Sequence, residues 1–130
     1  MRGTVPNRFA IGVVDDDASV RESLKGLLRA AGFSVKVFSS AEEFLASGVL
    51  EDTACLILDV RMPGMSGFDL QERLKASQLA MPVIFITADG DRNVRTRALA
   101  DGAVDFLQKP FKEQALLSAI EKALGELPSP

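Results

Sequence analysis

The stretch Ala54-Cys55-Leu56-Ile57-Leu58, running into Asp59, decides the fold. It has no polar–apolar alternation, so it reads as a strand covered on both faces. Outward from it, three more apolar runs of strand length appear: Phe9-Ala10-Ile11-Gly12-Val13-Val14, Val83-Ile84-Phe85-Ile86 and Val104-Asp105-Phe106-Leu107. Ser34-Val35-Lys36-Val37-Phe38 alternates instead, as a half-covered or edge strand does.

Helical patterns separate these runs. Val20, Leu24, Leu27, Leu28 and Ala31 share one stripe, and Gly32 is a natural stop. Ser40-Ala41-Glu42-Glu43 reads as a capping box that opens a helix with Phe44 and Leu45 inward. Leu70 and Leu74 mark a third helix. Val94, Ala98 and Leu99 mark a fourth, short and weakly apolar. Leu116, Leu117, Ile120, Ala123 and Leu124 mark a strong fifth. A strand followed by a helix, five times over, predicts an α/β fold with an open, doubly wound (βα)5 parallel sheet. The flavodoxin-like strand order 2-1-3-4-5 fits this length; it is taken from the known examples of that class.

Composition narrows the chemistry. The chain has 130 residues, 47% hydrophobic and 25% charged, which fits one globular domain. Residues 1–8 read as a loose arm, 9–126 as the domain and 127–130, with Pro128 and Pro130, as the start of a linker. No apolar run approaches the ~18 residues of a membrane span, and the N-terminus lacks the apolar stretch of a signal peptide. The expectation is a cytoplasmic protein with no membrane partner. Histidine is absent, so this chain carries no histidine triad, histidine zinc site or phosphohistidine. The lone Cys55 lies in an apolar run and reads as a buried thiol. A net charge of -3 argues against DNA binding by these residues themselves.

Ligands of doubly wound sheets bind beyond the carboxyl ends of the strands. Here the first run ends in Asp15-Asp16-Asp17, the third in Asp59, the fourth in Thr87 and the fifth in Lys109-Pro110. Acids, a hydroxyl and an ammonium therefore converge on one crevice. Two carboxylates about 4 Å apart repel by roughly 4 kcal/mol at an effective dielectric near 20, and a divalent cation removes that cost. Carboxylate oxygens with retained waters suit Mg²⁺, which completes its shell with phosphate. No Ser, Cys or His nucleophile stands at these strand ends, but a carboxylate can attack phosphorus to form an acyl phosphate. Asp59 fits best, since it tips a central strand and precedes the loop Val60-Arg61-Met62-Pro63-Gly64-Met65-Ser66-Gly67. Lys109 and Thr87 would neutralise and hydrogen-bond phosphoryl oxygens. Asp17 reads as a helix N-cap. Met62, Met65 and Met81 read as loop and packing residues, and Arg92, Arg95 and Arg97 as a solvated face.

Four motifs in order resemble the receiver domain of two-component response regulators. They are Val13-Val14-Asp15-Asp16-Asp17, Leu58-Asp59-Val60-Arg61-Met62-Pro63-Gly64-Met65-Ser66-Gly67, Ile86-Thr87-Ala88 and Gly102-Ala103-Val104-Asp105-Phe106-Leu107-Gln108-Lys109-Pro110-Phe111. The resemblance covers about residues 9–125, and the second and fourth motifs are most similar to the FixJ-type subgroup. It implies that Asp59 accepts a phosphoryl group from a sensor histidine kinase. It implies Mg²⁺ on Asp15, Asp16, Asp59 and the backbone carbonyl of Arg61. It implies a Thr87–Phe106 switch pair, a Lys109 contact to the phosphoryl group and a cis Lys109–Pro110 bond. Phosphorylation-dependent homodimerisation through the fourth helix, fifth strand and fifth helix is implied as well, with transcriptional control through a DNA-binding domain outside this chain. Asp17 stands where relatives often carry Glu.

Rival readings fit less well. An aspartate-nucleophile phosphatase would need a second acid two residues after Asp59, where Arg61 stands. A flavodoxin-like nucleotide binder would need a glycine-rich phosphate loop after the first strand, where three acids stand. The reading kept as the alternative is a receiver module that binds partners without being phosphorylated.

Overall fold

The computed structural model describes residues 10–79, 81–88 and 92–125. The arm at 1–8 and the linker at 127–130 lie outside the described residues. Five strands, β1 (Ala10–Val14), β2 (Val35–Phe38), β3 (Thr53–Asp59), β4 (Val83–Thr87) and β5 (Asp105–Gln108), alternate with five helices, α1 (Ala18–Ala30), α2 (Ala41–Ala46), α3 (Gly67–Ala76), α4 (Arg92–Ala100) and α5 (Glu113–Leu124). A single 3-10 turn, Leu50–Asp52, leads into β3. The strands form one parallel sheet in the order β2-β1-β3-β4-β5, as expected.

The continuous apolar runs are explained by helices on both faces. Every residue of β3 is buried, and its side chains alternate between two cores. Leu56 and Leu58 pack with Phe44 of α2, Leu70 and Leu74 of α3 and Ala98 of α4. Cys55 and Ile57 pack with Leu24 and Leu28 of α1 and Leu116, Ile120 and Ala123 of α5. Burial of such side chains stabilises the fold by about 1.5–3 kcal/mol each. Phe44 is fully buried and meets Phe38 edge-on, with centroids 5.1 Å apart, so Phe44→Ala costs about 3–5 kcal/mol.

Several local readings change. β5 is shifted by one residue from the apolar run, with Val104 before the strand; at the sheet edge that the expected order gives it, Asp105 and Leu107 are half-buried and Gln108 is exposed. Ala31 is the exposed C-cap of α1, followed by Gly32 at φ +98°, a left-handed conformation that suits glycine. Leu99, expected to face inward, is 41% exposed, which leaves Ala98 as the buried residue of α4. In α2 the Ser40 hydroxyl accepts from the Glu43 amide, but the Glu43 carboxylate turns back to Ser39. The reciprocal capping box sits instead at α3, where Ser66 and Asp69 accept each other's amides. Arg97 is no simple solvated residue: its guanidinium lies 4.2 Å from the Phe68 ring centroid and 3.7 Å from Asp101.

Candidate functional site

The carboxyl ends of β1, β3 and β4 deliver Asp15, Asp59 and Thr87 to one edge of the sheet. All three are buried; Asp15 is fully so. The fourth member arrives just after β5, where the Lys109 amide donates to the Thr87 carbonyl at 2.7 Å and extends the β4–β5 ladder by one rung. The following Lys109–Pro110 bond is cis.

Asp15 is gripped on every side. Its amide donates to the Phe38 carbonyl at 3.1 Å. Its Oδ1 accepts from the Asp17 amide and its Oδ2 from Lys109 Nζ, both at 2.9 Å. Its carbonyl accepts from the Arg21 guanidinium at 2.8 Å. Lys109 Nζ also lies 3.6 Å from Asp59 Oδ2, so one ammonium serves two buried carboxylates. Asp59 Oδ1 accepts from the Arg61 amide at 3.3 Å. The loop beyond is fastened at its far end by Gly67, whose amide donates to the Val60 carbonyl at 2.9 Å. A Cβ on Gly67 would lie 2.3 Å from the Asp59 carbonyl oxygen, so only glycine fits there.

Asp15, Asp16 and Asp59 each offer a carboxylate oxygen within 4.8 Å of the others. Asp17 stands apart from this trio. It is the N-cap of α1, and hydrogen bonds from the Ser19 hydroxyl and amide hold its carboxyl below the usual range. Phe106 is buried in the core beneath α4, in register with Phe85 of β4.

The electrostatics are those of a site short of positive charge. Burial, and then the neighbouring Asp15 charge, push the Asp59 carboxyl up to about 7, against the opposing pull of Lys109 and the Arg61 amide. Burial by itself would lower the Lys109 ammonium. Its hydrogen bond to Asp15 and the charges of Asp59 and Asp15 outweigh this and hold it above the ordinary lysine value. Three carboxylates against one ammonium leave two uncompensated negative charges when all are ionised. A small divalent cation matches both that charge and the all-oxygen donor set, so the residues present fit Mg²⁺.

Three contacts here were missed by the reading of the sequence. They are Arg21 on the Asp15 carbonyl, Glu42 accepting from the Met65 amide at 3.2 Å, and Arg97 on the Phe68 ring. Each joins residues with no regular spacing. The nearest thing to a clue was the α1 stripe, which leaves Arg21 beside its apolar face.

The family model of the response regulator receiver domain matches residues 11–121. The chain therefore belongs to the response regulator receiver domains, the signalling modules of two-component systems, and its likeness is to the FixJ type. It is 50% identical over 111 residues to Nodulation protein W of Bradyrhizobium diazoefficiens, covering 85% of this chain and 49% of that protein. It is 43% identical over 121 residues to the Transcriptional regulatory protein FixJ of Azorhizobium caulinodans, covering 93% of this chain and 57% of that protein. The crystal structure of FixJ-N superposes with a TM-score of 0.84 at 38% identity, over 100% of both chains. The chain thus spans about half the length of the curated relatives it matches.

Proposed function

We propose that Asp59 is the phosphoacceptor of this receiver domain. A carboxylate oxygen of Asp59 attacks the phosphorus of a phosphohistidine on a sensor histidine kinase. The new O–P bond forms as the N–P bond breaks, and the imidazole leaves with its electron pair. The observation that carries this reading is the gathering of Asp15, Asp16 and Asp59 around one point, with Lys109 bonded across it.

Asp15, Asp16, Asp59 and the Arg61 carbonyl would hold Mg²⁺. When bound, the ion supplies charge neutralisation for the acids and for the incoming phosphoryl oxygens. Lys109 contacts a phosphoryl oxygen, and the Thr87 hydroxyl donates to another. The domain promotes its own phosphorylation in this way, by positioning and charge alone.

The added charge, about -1.5 to -2, then selects an arrangement in which Thr87 moves toward the phosphoryl group and Phe106 turns with it. The family resemblance supports a readout face on α4, β5 and α5 that forms a homodimer when Asp59 is phosphorylated. It also supports a cytoplasmic regulator whose DNA-binding part lies outside this chain. No helix among the described residues is long and apolar enough to cross a membrane.

The test is NMR with Mg²⁺ and beryllofluoride, joined to phosphorylation by acetyl phosphate. The expected result is shifts at Asp59, Thr87 and Lys109 and a single acyl phosphate at Asp59. Normal labelling of Asp59→Asn would overturn the assignment. For dimerisation, sedimentation with beryllofluoride and Mg²⁺ should double the mass; an unchanged mass would reject it.

A further inference from the structure

We infer that Arg21, on α1, is a positioning residue for the magnesium-binding acids, acting through the peptide plane between Asp15 and Asp16. The inference rests on the proposed metal-dependent function and goes beyond its ligand set.

The sheet geometry creates the need. The N–H and C=O of an extended residue point to the same side of a strand, and the Asp15 amide bonds to Phe38 of β2. The Asp15 carbonyl therefore also faces β2. That strand ends at Phe38, so the ladder has no further rung to offer it. Asp15 is fully buried, and a buried carbonyl without a donor is costly. Half-buried Arg21 supplies the donor at 2.8 Å from one turn into α1.

That bond does more than satisfy a carbonyl. The same peptide plane carries the Asp16 amide, so fixing its oxygen fixes the direction in which Asp16 leaves the strand. Asp16 is exposed, and its own burial does not orient it. Arg21 is also near enough to Glu43 to help hold that carboxyl below its usual range, behind the larger effect of Ser39.

Positioning and bare electrostatics predict opposite signs. A positive charge close to a cation site weakens cation binding, so deleting it should tighten Mg²⁺ if charge were all that mattered. If Arg21 holds the acid loop, deleting it should loosen Mg²⁺, as the loss of groups that orient metal ligands commonly does.

The experiment compares the wild-type chain with Arg21→Met, which keeps the apolar stem, and Arg21→Gln, which is neutral but still a donor. Mg²⁺ titrations are followed by NMR at the Asp16 and Arg61 amides, and amide exchange at Asp16 and Asp17 is measured without metal. Arg21→Met should weaken Mg²⁺ by about tenfold and speed the metal-free exchange. Arg21→Gln should restore much of both. The acetyl phosphate rate of Arg21→Met should approach wild type at saturating Mg²⁺. Arg21→Met binding Mg²⁺ as tightly as wild type, or more tightly, would overturn the inference, as would unchanged exchange. Failure of the wild type to take up Mg²⁺ would instead strike the functional reading, while the exchange data would still decide whether Arg21 orders the loop.

Discussion

Lys109 Nζ lies 2.9 Å from Asp15 Oδ2, joining residues 94 positions apart in the chain. The same nitrogen stands 3.6 Å from Asp59 Oδ2. One ammonium therefore holds two buried carboxylates that would otherwise repel each other. Removing it exposes that repulsion. In metal-free buffer Lys109→Met should lose about 2–4 kcal/mol of stability, because the buried Asp15 carboxylate loses its hydrogen-bonded partner and Asp59 loses the cation that eases its ionisation. Mg²⁺ should close much of the gap, since the cation takes over the neutralising role. Urea denaturation with and without Mg²⁺ measures both effects, and an equal loss in both buffers would count against a shared site.

Asp59→Asn should abolish phosphoryl uptake while making the metal-free domain more stable, by about 1–3 kcal/mol at pH 8. The sign follows from burial. The folded Asp59 carboxyl titrates near 7 rather than near 3.8, so its charged form is disfavoured by the fold. Below about pH 4 the carboxyl is neutral in both states and carries no penalty. As pH rises from about 4 to 7 the unfolded chain ionises first, and the wild type loses stability; above 7 this contribution levels off. The advantage of Asp59→Asn should therefore grow across that window. Thermal melts in EDTA from pH 4 to 8 check it, and a constant difference would mean that Asp59 titrates normally.

Gly67→Ala should be severe for its size. The added methyl would sit 2.3 Å from the Asp59 carbonyl oxygen, a backbone atom that cannot swing aside. A loss of at least about 2 kcal/mol is expected, together with slower phosphorylation, because relief of the clash must move the end of β3. Gly26→Ala, where nothing lies within 4 Å of the added methyl, is the control and should be neutral or stabilising.

Arg97 and Phe68 link α4 to α3, and Phe68 in turn packs on Phe85 of β4 with centroids 5.0 Å apart. A double-mutant cycle with Arg97→Ala and Phe68→Leu should give a coupling of about 0.5–1 kcal/mol. A coupling of zero would mean that the guanidinium rests over the ring without holding the helix.

Most of the architecture was legible because one face of a helix and both faces of a central strand must be apolar, and those periods are written locally. The four motifs at the strand ends were legible for a related reason: a parallel sheet sends all its carboxyl ends to one side, so residues far apart in sequence must meet. Leu99 misled because apolar content does not say whether a neighbour covers it, whereas the half-covered state of β5 follows from the edge position that the expected strand order already gave it. Glu43 misled because the path of the chain brings its carboxylate to the Ser39 amide and hydroxyl, one residue before the cap.

What the linear sequence determined by itself was the alternation of elements, the strand ends that carry chemistry and the identity of the acids, hydroxyl and ammonium found there. Tertiary structure alone decided that Lys109 bridges Asp15 and Asp59, that Arg21 takes the carbonyl left over where β2 stops, and that Arg97 lies on Phe68. Periodicity reports which face of an element is buried. The reach of a long side chain to a particular atom depends on where two elements end relative to each other, and that is set only when the whole core packs.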